Sequence, residues 1–332
     1  MKRIYYLDWL RVIAIIGVIF IHCSSLTVIT CPREIFPYFI NSFGRFAVPV
    51  FVMISGVLFL NKNIGIKKLY SKYILKFAVC ILAFEFLAFL TRFFNWENIV
   101  IINVHLWFLY MIMGIYMVYP FLKKIVSSQK LCLYFVGLSL IYVFIIPFLI
   151  KFTSGFSYTD TFEYLTYFTD KSYLHLPLGF SVYFVLGYLL HKYEIKKYVN
   201  NIVLYFAAVI SLGMITFSTM HIAVANGQFS EYLCDYNYIF VLTFAVSVFL
   251  IFKNHEVFNR ENKVISFLSR YTFCIYLVHM IVLGHLRKIE PALGYDFKTD
   301  LFMVINIVIT FCLSLVLALI INKIPVLNKY FI

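Results

Sequence analysis

Apolar residues run along this chain in stretches of about twenty, and most charged positions fall between the stretches rather than within them. The runs do not alternate apolar with polar, so they have the length and texture of membrane-crossing helices rather than of barrel strands. Ten spans are predicted, over 7–29, 45–60, 74–91, 103–120, 131–150, 175–190, 202–220, 237–252, 264–284 and 301–322. The second and sixth are short. The chain is read as a single all-α transmembrane domain over 1–332, a polytopic helix bundle with no long linker or low-complexity tract. The first run holds Asp8 and Arg11 and lacks a small-residue cleavage site, so it is expected to be a retained helix.

Composition agrees with lipid as the main solvent. Hydrophobic residues make up 63% of the 332 positions and charged residues 13%, against roughly half and a quarter in soluble domains. The net charge of +13 would suggest nucleic acid in a soluble protein. Here the basic residues sit in short loops, so they read as orientation signals and contacts to membrane lipids, with no nucleic-acid partner. With the amino terminus in the cytoplasm, eighteen basic residues fall in inner segments and eight in outer ones, Arg11 and Arg270 lying inside helices. Ten spans then place both termini in the cytoplasm. Of seven cysteines, Cys80, Cys132, Cys274 and Cys312 lie in apolar runs as packing residues, and Cys31 and Cys234 lie near outer loops where they could pair. No metal-ligand spacing occurs.

Ionisable groups inside a membrane are costly and are candidates for function. Arg11 and His22 are eleven residues apart, which puts them within ~20° of one helix face and ~16 Å apart along the axis. Asp8, three residues before Arg11, can pair with it. Arg45 is expected to open the second helix from the outside. Glu85, His105, Trp107 and His279 are expected near the same outer level as His22, forming an acid–base pocket of histidines, a carboxylate and an arginine. The competing structural readings are interfacial anchoring for His105 and Trp107 and an ion pair to Arg92 for Glu85. At the inner face Lys67, Lys68, Lys72 and Lys76 with Arg11 and Arg270 suit a phosphate-bearing ligand.

Four pieces in order resemble the membrane acyltransferase-3 family: Leu7-Asp8-Trp9-Leu10-Arg11 followed by His22; Arg45 through Pro49 to Ser55-Gly56; His105-Leu106-Trp107-Phe108-Leu109-Tyr110; and Ser269 through Tyr276 to His279. The second and third look most like the branch that O-acetylates enterobacterial common antigen and related surface glycans. The resemblance implies an O-acyltransferase in the bacterial cytoplasmic (inner) membrane. It implies acyl-CoA, usually acetyl-CoA, as donor substrate with no bound cofactor, and a sugar hydroxyl of a surface or lipid-linked glycan as acceptor. It implies function for Arg11 and His22. Glu85 matches no family motif, and the inner basic segment is lysine-rich where many members use arginine. His22 is the expected base; Arg45, His279 or Tyr276 could stabilise or orient the reacting groups, with His105, Trp107 and Tyr276 near the acceptor. Direct transfer and an acyl-histidine intermediate both fit. An exporter or flippase of a lipid-linked glycan would share the helices and polar interior, but it commonly shows internal repeats, and none is evident.

Overall fold

A computed structural model of the protein describes residues 3–31, 33–93, 103–154, 175–289 and 299–331. Among them every regular element is a helix. Seven helices are long and apolar enough to cross a membrane, or eight if the bent pair Val104–Met117 and Tyr119–Ser127 is one span. The other two expected spans also fall on helices, the 18-residue His175–Lys192 and the 16-residue Ile239–Asn254. The first is broken at Gly179, where the backbone leaves helical geometry. Lys2, Lys171 and Lys298 of the charge pattern lie outside the described residues.

The outward faces explain why lipid is the solvent. In α10 (Asn201–Asn226) the buried side carries Ser211, Thr216 and Thr219, whereas Val203, Phe206, Val209 and Phe217 are exposed. In α13 (Asp300–Asn322) Asn306, Thr310 and Ser314 recur every four residues on the buried side, and Leu301, Val308 and Val316 face out. A helix in water shows the reverse pattern. This multi-pass membrane protein therefore turns these small polar side chains toward helix–helix contacts and its apolar ones toward lipid. Cys312 sits on that outward face of α13; Cys80, Cys132, Cys234 and Cys274 are buried, and Cys31 and Cys234 are both free.

Close packing needs small residues at two crossings. Gly56 in α3 (Ala47–Leu60) meets α9 (His175–Lys192) so tightly that a Cβ would overlap the Phe184 carbonyl, and Gly187 meets the Met53 carbonyl in the same way. Gly17 in α1 (Tyr5–Thr30) faces Gly44 at the end of α2 (Ile35–Gly44), again backbone to backbone. These contacts bring α2 and α3 against α1 and α9.

The second span corrects the expectation for Arg45. It begins at Ile35 rather than at Arg45, and Arg45 lies in the joint between α2 and α3. The cause is Pro49, which has no N–H for the Arg45 carbonyl and cannot continue a helix across that turn. Arg45 is thus set within a 26-residue span instead of at its mouth. Pro120 acts similarly on the fourth span. It leaves the Tyr116 carbonyl without its helical donor, and the chain bends by 56° between α5 (Trp107–Met117) and α6 (Tyr119–Ser127).

Helix ends at the amino-terminal side of the bundle are capped by lysines. The Lys123 ammonium donates to the Leu60 carbonyl at the end of α3. The Lys253 ammonium donates to the carbonyls of Leu190 and Tyr193 where α9 ends. Each supplies positive charge at the carboxyl end of a helix, where the last carbonyls lack intrahelical donors.

Candidate active site

The first turns of α1 place Asp8 in the bundle with two cations on it. Arg3 Nε donates to Asp8 Oδ2 at 2.6 Å and Arg11 Nη1 to Asp8 Oδ1 at 2.9 Å. Ser269, on α12 (Lys263–Ile289), donates its hydroxyl to Asp8 Oδ1 at 3.0 Å. Arg3 also donates to the Ser266 carbonyl at 2.9 Å, so the amino-terminal segment is tied to α12. Beside this latch lies a cavity of about 360 Å³ lined by Arg3, Asp8, Arg11, Lys62, Ser269 and Arg270 among others. Four cations face one carboxylate there, a setting suited to an anion with several charges.

A second cavity of about 170 Å³ follows, and Arg11 and Leu58 line both. Its walls are mainly apolar, with Phe51, Phe77, Phe108 and Phe273, and its polar groups are Arg11, Ser55, Thr272 and Tyr276. The Lys76 ammonium lies 4.7 Å from the Phe273 ring. The expected Arg11–Arg270 pair is therefore brought to one cavity. Lys67, Lys68 and Lys72 are exposed and do not line it; Lys72 lies on a π-helical stretch, Leu69–Ile74.

Tyr276 joins the second cavity to three histidines. Its hydroxyl donates to the His105 carbonyl, and its ring centre is 5.4 Å from that of His105 and 5.8 Å from that of His279. His279 is fully buried between His22, at 5.2 Å, and His105, at 5.1 Å. The three rings come from α1, the turn before α5, and α12. His279 Nδ1 lies 2.6 Å from the Tyr276 carbonyl. A carbonyl can only accept, so Nδ1 carries the proton and neutral His279 offers a lone pair at Nε2. That buried Nε2 has no hydrogen-bond partner among the described residues. His105 Nε2 sits 3.3 Å from the Leu277 carbonyl, two residues before His279 on α12. Unlike its two neighbours, His22 is only partly buried.

Arg45 approaches the cluster through Asn41. Its Nε and Nη2 both donate to Asn41 Oδ1, at 3.0 and 2.8 Å. Asn41 in turn donates to the Ile21 carbonyl at 3.3 Å and to Ser24 Oγ at 3.1 Å, on either side of His22. Arg287 donates to the His22 carbonyl at 2.7 Å, which binds the far end of α12 to α1.

The structure thus brings His22, His105, Tyr276 and His279 together and links Arg45, through Asn41, to the α1 turn that bears His22. It does not bring Glu85. That side chain is exposed on α4 (Leu75–Phe93) between exposed Leu82 and Phe86, and faces away from the bundle. Trp107 is 38% exposed at the start of α5. Arg3, Asn41 and Arg287 are additional residues of the site. Asn41 is four positions before Arg45 and so on its face of the helix, a signal present in the sequence. Arg3 and Arg287 act through partners more than 250 residues away, which no local pattern announces.

Arginine-lined cavities lie beside a cluster of imidazoles in this lipid-embedded bundle, groups suited to holding an anion and moving a proton. Residues 4–323 match the family model described as "Acyltransferase domain", and the chain belongs to this acyltransferase-3 family. It is a membrane acyltransferase. No curated protein and no solved structure matches the chain.

Proposed function

We propose that this protein is an acyl-CoA-dependent O-acyltransferase, most simply an O-acetyltransferase, acting on a sugar hydroxyl of a surface or lipid-linked glycan. It would reside in a bacterial cytoplasmic (inner) membrane with both termini in the cytoplasm, as the resemblance to the glycan O-acetyltransferase branch implies. The observation that carries the reading is the run of two cavities sharing Arg11 and ending at Tyr276, against the three histidines.

In this reading Arg3, Arg11, Lys62 and Arg270 hold the phosphates of the donor at the amino-terminal side. The narrower, phenylalanine-lined cavity admits its uncharged arm, and the thioester reaches the histidine level. An acceptor hydroxyl enters from the other side past Arg45. His22 removes the hydroxyl proton, the oxygen attacks the thioester carbon, the C–S bond breaks, and the protonated His22 returns the proton to the departing sulfur. In the reacting complex the unpartnered Nε2 of His279, held in one tautomer by the Tyr276 carbonyl, would accept from the N–H of His22 and turn its basic nitrogen toward the acceptor, the role a carboxylate plays in other triads. Buried surroundings exclude water, which would otherwise hydrolyse the thioester. In this reading Arg45 supplies the cation that stabilises the tetrahedral oxyanion.

The test is transfer across a sealed membrane. In vesicles of known orientation, acetyl-CoA supplied on the amino-terminal side should O-acetylate purified host surface glycan held on the opposite side. Transfer only when both substrates share one compartment would overturn the two-sided mechanism. Absence of any O-acetylated glycan would overturn the assignment of donor and acceptor.

A further inference from the structure

On the far side of Arg45 from α1, side chains from three separate elements form a face that the chemistry described so far does not use. Trp107 opens α5, Phe180 follows the Gly179 break in α9, and Tyr236 belongs to the segment 231–238 that leads into α11 (Ile239–Asn254). Their ring centres lie 5.5 Å apart for Trp107–Tyr236, 5.8 Å for Trp107–Phe180 and 5.9 Å for Phe180–Tyr236. The Trp107 and Tyr236 planes are inclined by only 30°. Tyr236 is fixed from behind, because Tyr183 donates its hydroxyl to the Tyr236 carbonyl at 2.5 Å.

The edge of this aromatic face is charged. The Arg45 guanidinium carbon lies 6.0 Å from the Tyr236 ring, and Arg45 Nη2 lies 3.6 Å from Glu231 Oε1. The arginine side chain is 4% exposed and the glutamate 70%. A buried cation held by Asn41 thus meets a carboxylate that reaches into solvent. Asn237 Oδ1, buried and without a hydrogen-bond partner among the described residues, lies 3.5 Å from where a Cβ on Gly179 would stand.

We infer that Trp107, Tyr236 and Phe180, with Glu231 and Arg45 at their edge, form the subsite that seats the acceptor, and that the moiety seated there is a pyranose ring. This rests on the O-acyltransferase reading above and adds the place and chemistry of acceptor recognition. A pyranose has one face of C–H groups, which are attracted to the electron-rich faces of aromatic rings, and a rim of hydroxyls that both donate and accept. Glu231 accepts from such hydroxyls and Arg45 donates to them. A lipid tail would gain nothing from an ion pair at the edge of its site. A tryptophan acting only as an interfacial anchor has no need of ring partners from two other elements. The location fits as well. Trp107 stands two residues after His105, and Asn41 connects Arg45 to the turn of α1 that bears His22. A ring on the platform therefore lies at the outer approach to the base.

Three single variants test this in membranes supplied with acetyl-CoA and the host's purified surface polysaccharide: Trp107→Leu, Trp107→Phe and Glu231→Gln. Loss of one charge-assisted hydrogen bond corresponds to about tenfold or more. Glu231→Gln should therefore raise KM for the polysaccharide about tenfold, and Trp107→Leu, which removes a stacking face, about five- to tenfold. Trp107→Phe should stay within about threefold of wild type because a stacking face remains. The affinity of each purified variant for acetyl-CoA, measured separately, should stay within about twofold, which shows an intact fold. If Trp107→Leu and Glu231→Gln acylate the polysaccharide with wild-type KM, the subsite is wrong while the proposed function stands. A parallel loss of acetyl-CoA affinity would make these residues structural and also overturn the inference. If the wild-type protein itself leaves polysaccharide unmodified, the proposed function fails and takes the pyranose assignment with it.

Discussion

Asp8→Ala should reveal the latch at the amino-terminal side of the bundle. The carboxylate accepts from Arg3 at 2.6 Å, Arg11 at 2.9 Å and Ser269 at 3.0 Å. Removing one partner from a fully buried ion pair costs ~3–5 kcal/mol, because the remaining charge is stranded. Here the side chains of Arg3 and Arg11 keep 38% and 28% exposure. Water can rehydrate both, and the cost falls to about 2 kcal/mol. At about 2 °C per kcal/mol, the lower end of the range for long chains, the apparent Tm should drop by about 4 °C. The more searching measurement is a double-mutant cycle of Asp8→Ala and Arg3→Ala, followed by thermal unfolding in detergent. The two side chains share one short bond, so the changes should couple by about 1 kcal/mol, each costing that much less once the other is made. Additivity within about 0.3 kcal/mol would mean that Arg3 gains nothing from Asp8 and would refute the latch.

Two further outcomes concern the chemistry. His22→Ala should lower acyl transfer about 10²–10⁴-fold, the usual loss for a positioned base, with unchanged unfolding temperature; activity within a few-fold of wild type would remove His22 as the base. Arg11→Ala should raise KM for acetyl-CoA about tenfold, and Arg11→Lys should restore little because an ammonium lacks the two-pronged fork; unchanged donor affinity would confine Arg11 to its pair with Asp8.

The helices were legible because each apolar run carries its own signal, and all ten expected spans fall on helices. What the runs could not show is how proline subdivides them. The second crossing already begins at Ile35 and is broken ahead of Pro49, so Arg45 lies inside it rather than at the mouth where it was expected. The candidate site was legible where residues share a helix, as Asp8, Arg11 and His22 do. Common depth also grouped His105 and His279 correctly. Depth alone is blind to the azimuth of a side chain, however, and Glu85 shows the consequence: right level, wrong face. Of the aromatic face around Tyr236 only Trp107 stood out in the sequence, because Phe180 and Tyr236 lie far from it along the chain and are ordinary members of a chain rich in aromatic residues. Likewise the role of Lys62 depends on where α3 ends, not on the run of lysines that follows it.

The separation of Arg11 from the imidazole cluster has an energetic consequence. A full elementary charge moved across a membrane exchanges about 2.3 kcal/mol for every 100 mV of potential. In the proposed reaction the charged end of the donor stays with Arg3, Arg11 and Arg270, and only an uncharged acyl group goes on to the acceptor. The proton taken at His22 is returned to sulfur at the same depth. No net charge completes the crossing, so the thioester alone drives the transfer, and an energised membrane neither helps nor hinders it. A pump working through the same helices would have to draw on that potential or on a second solute.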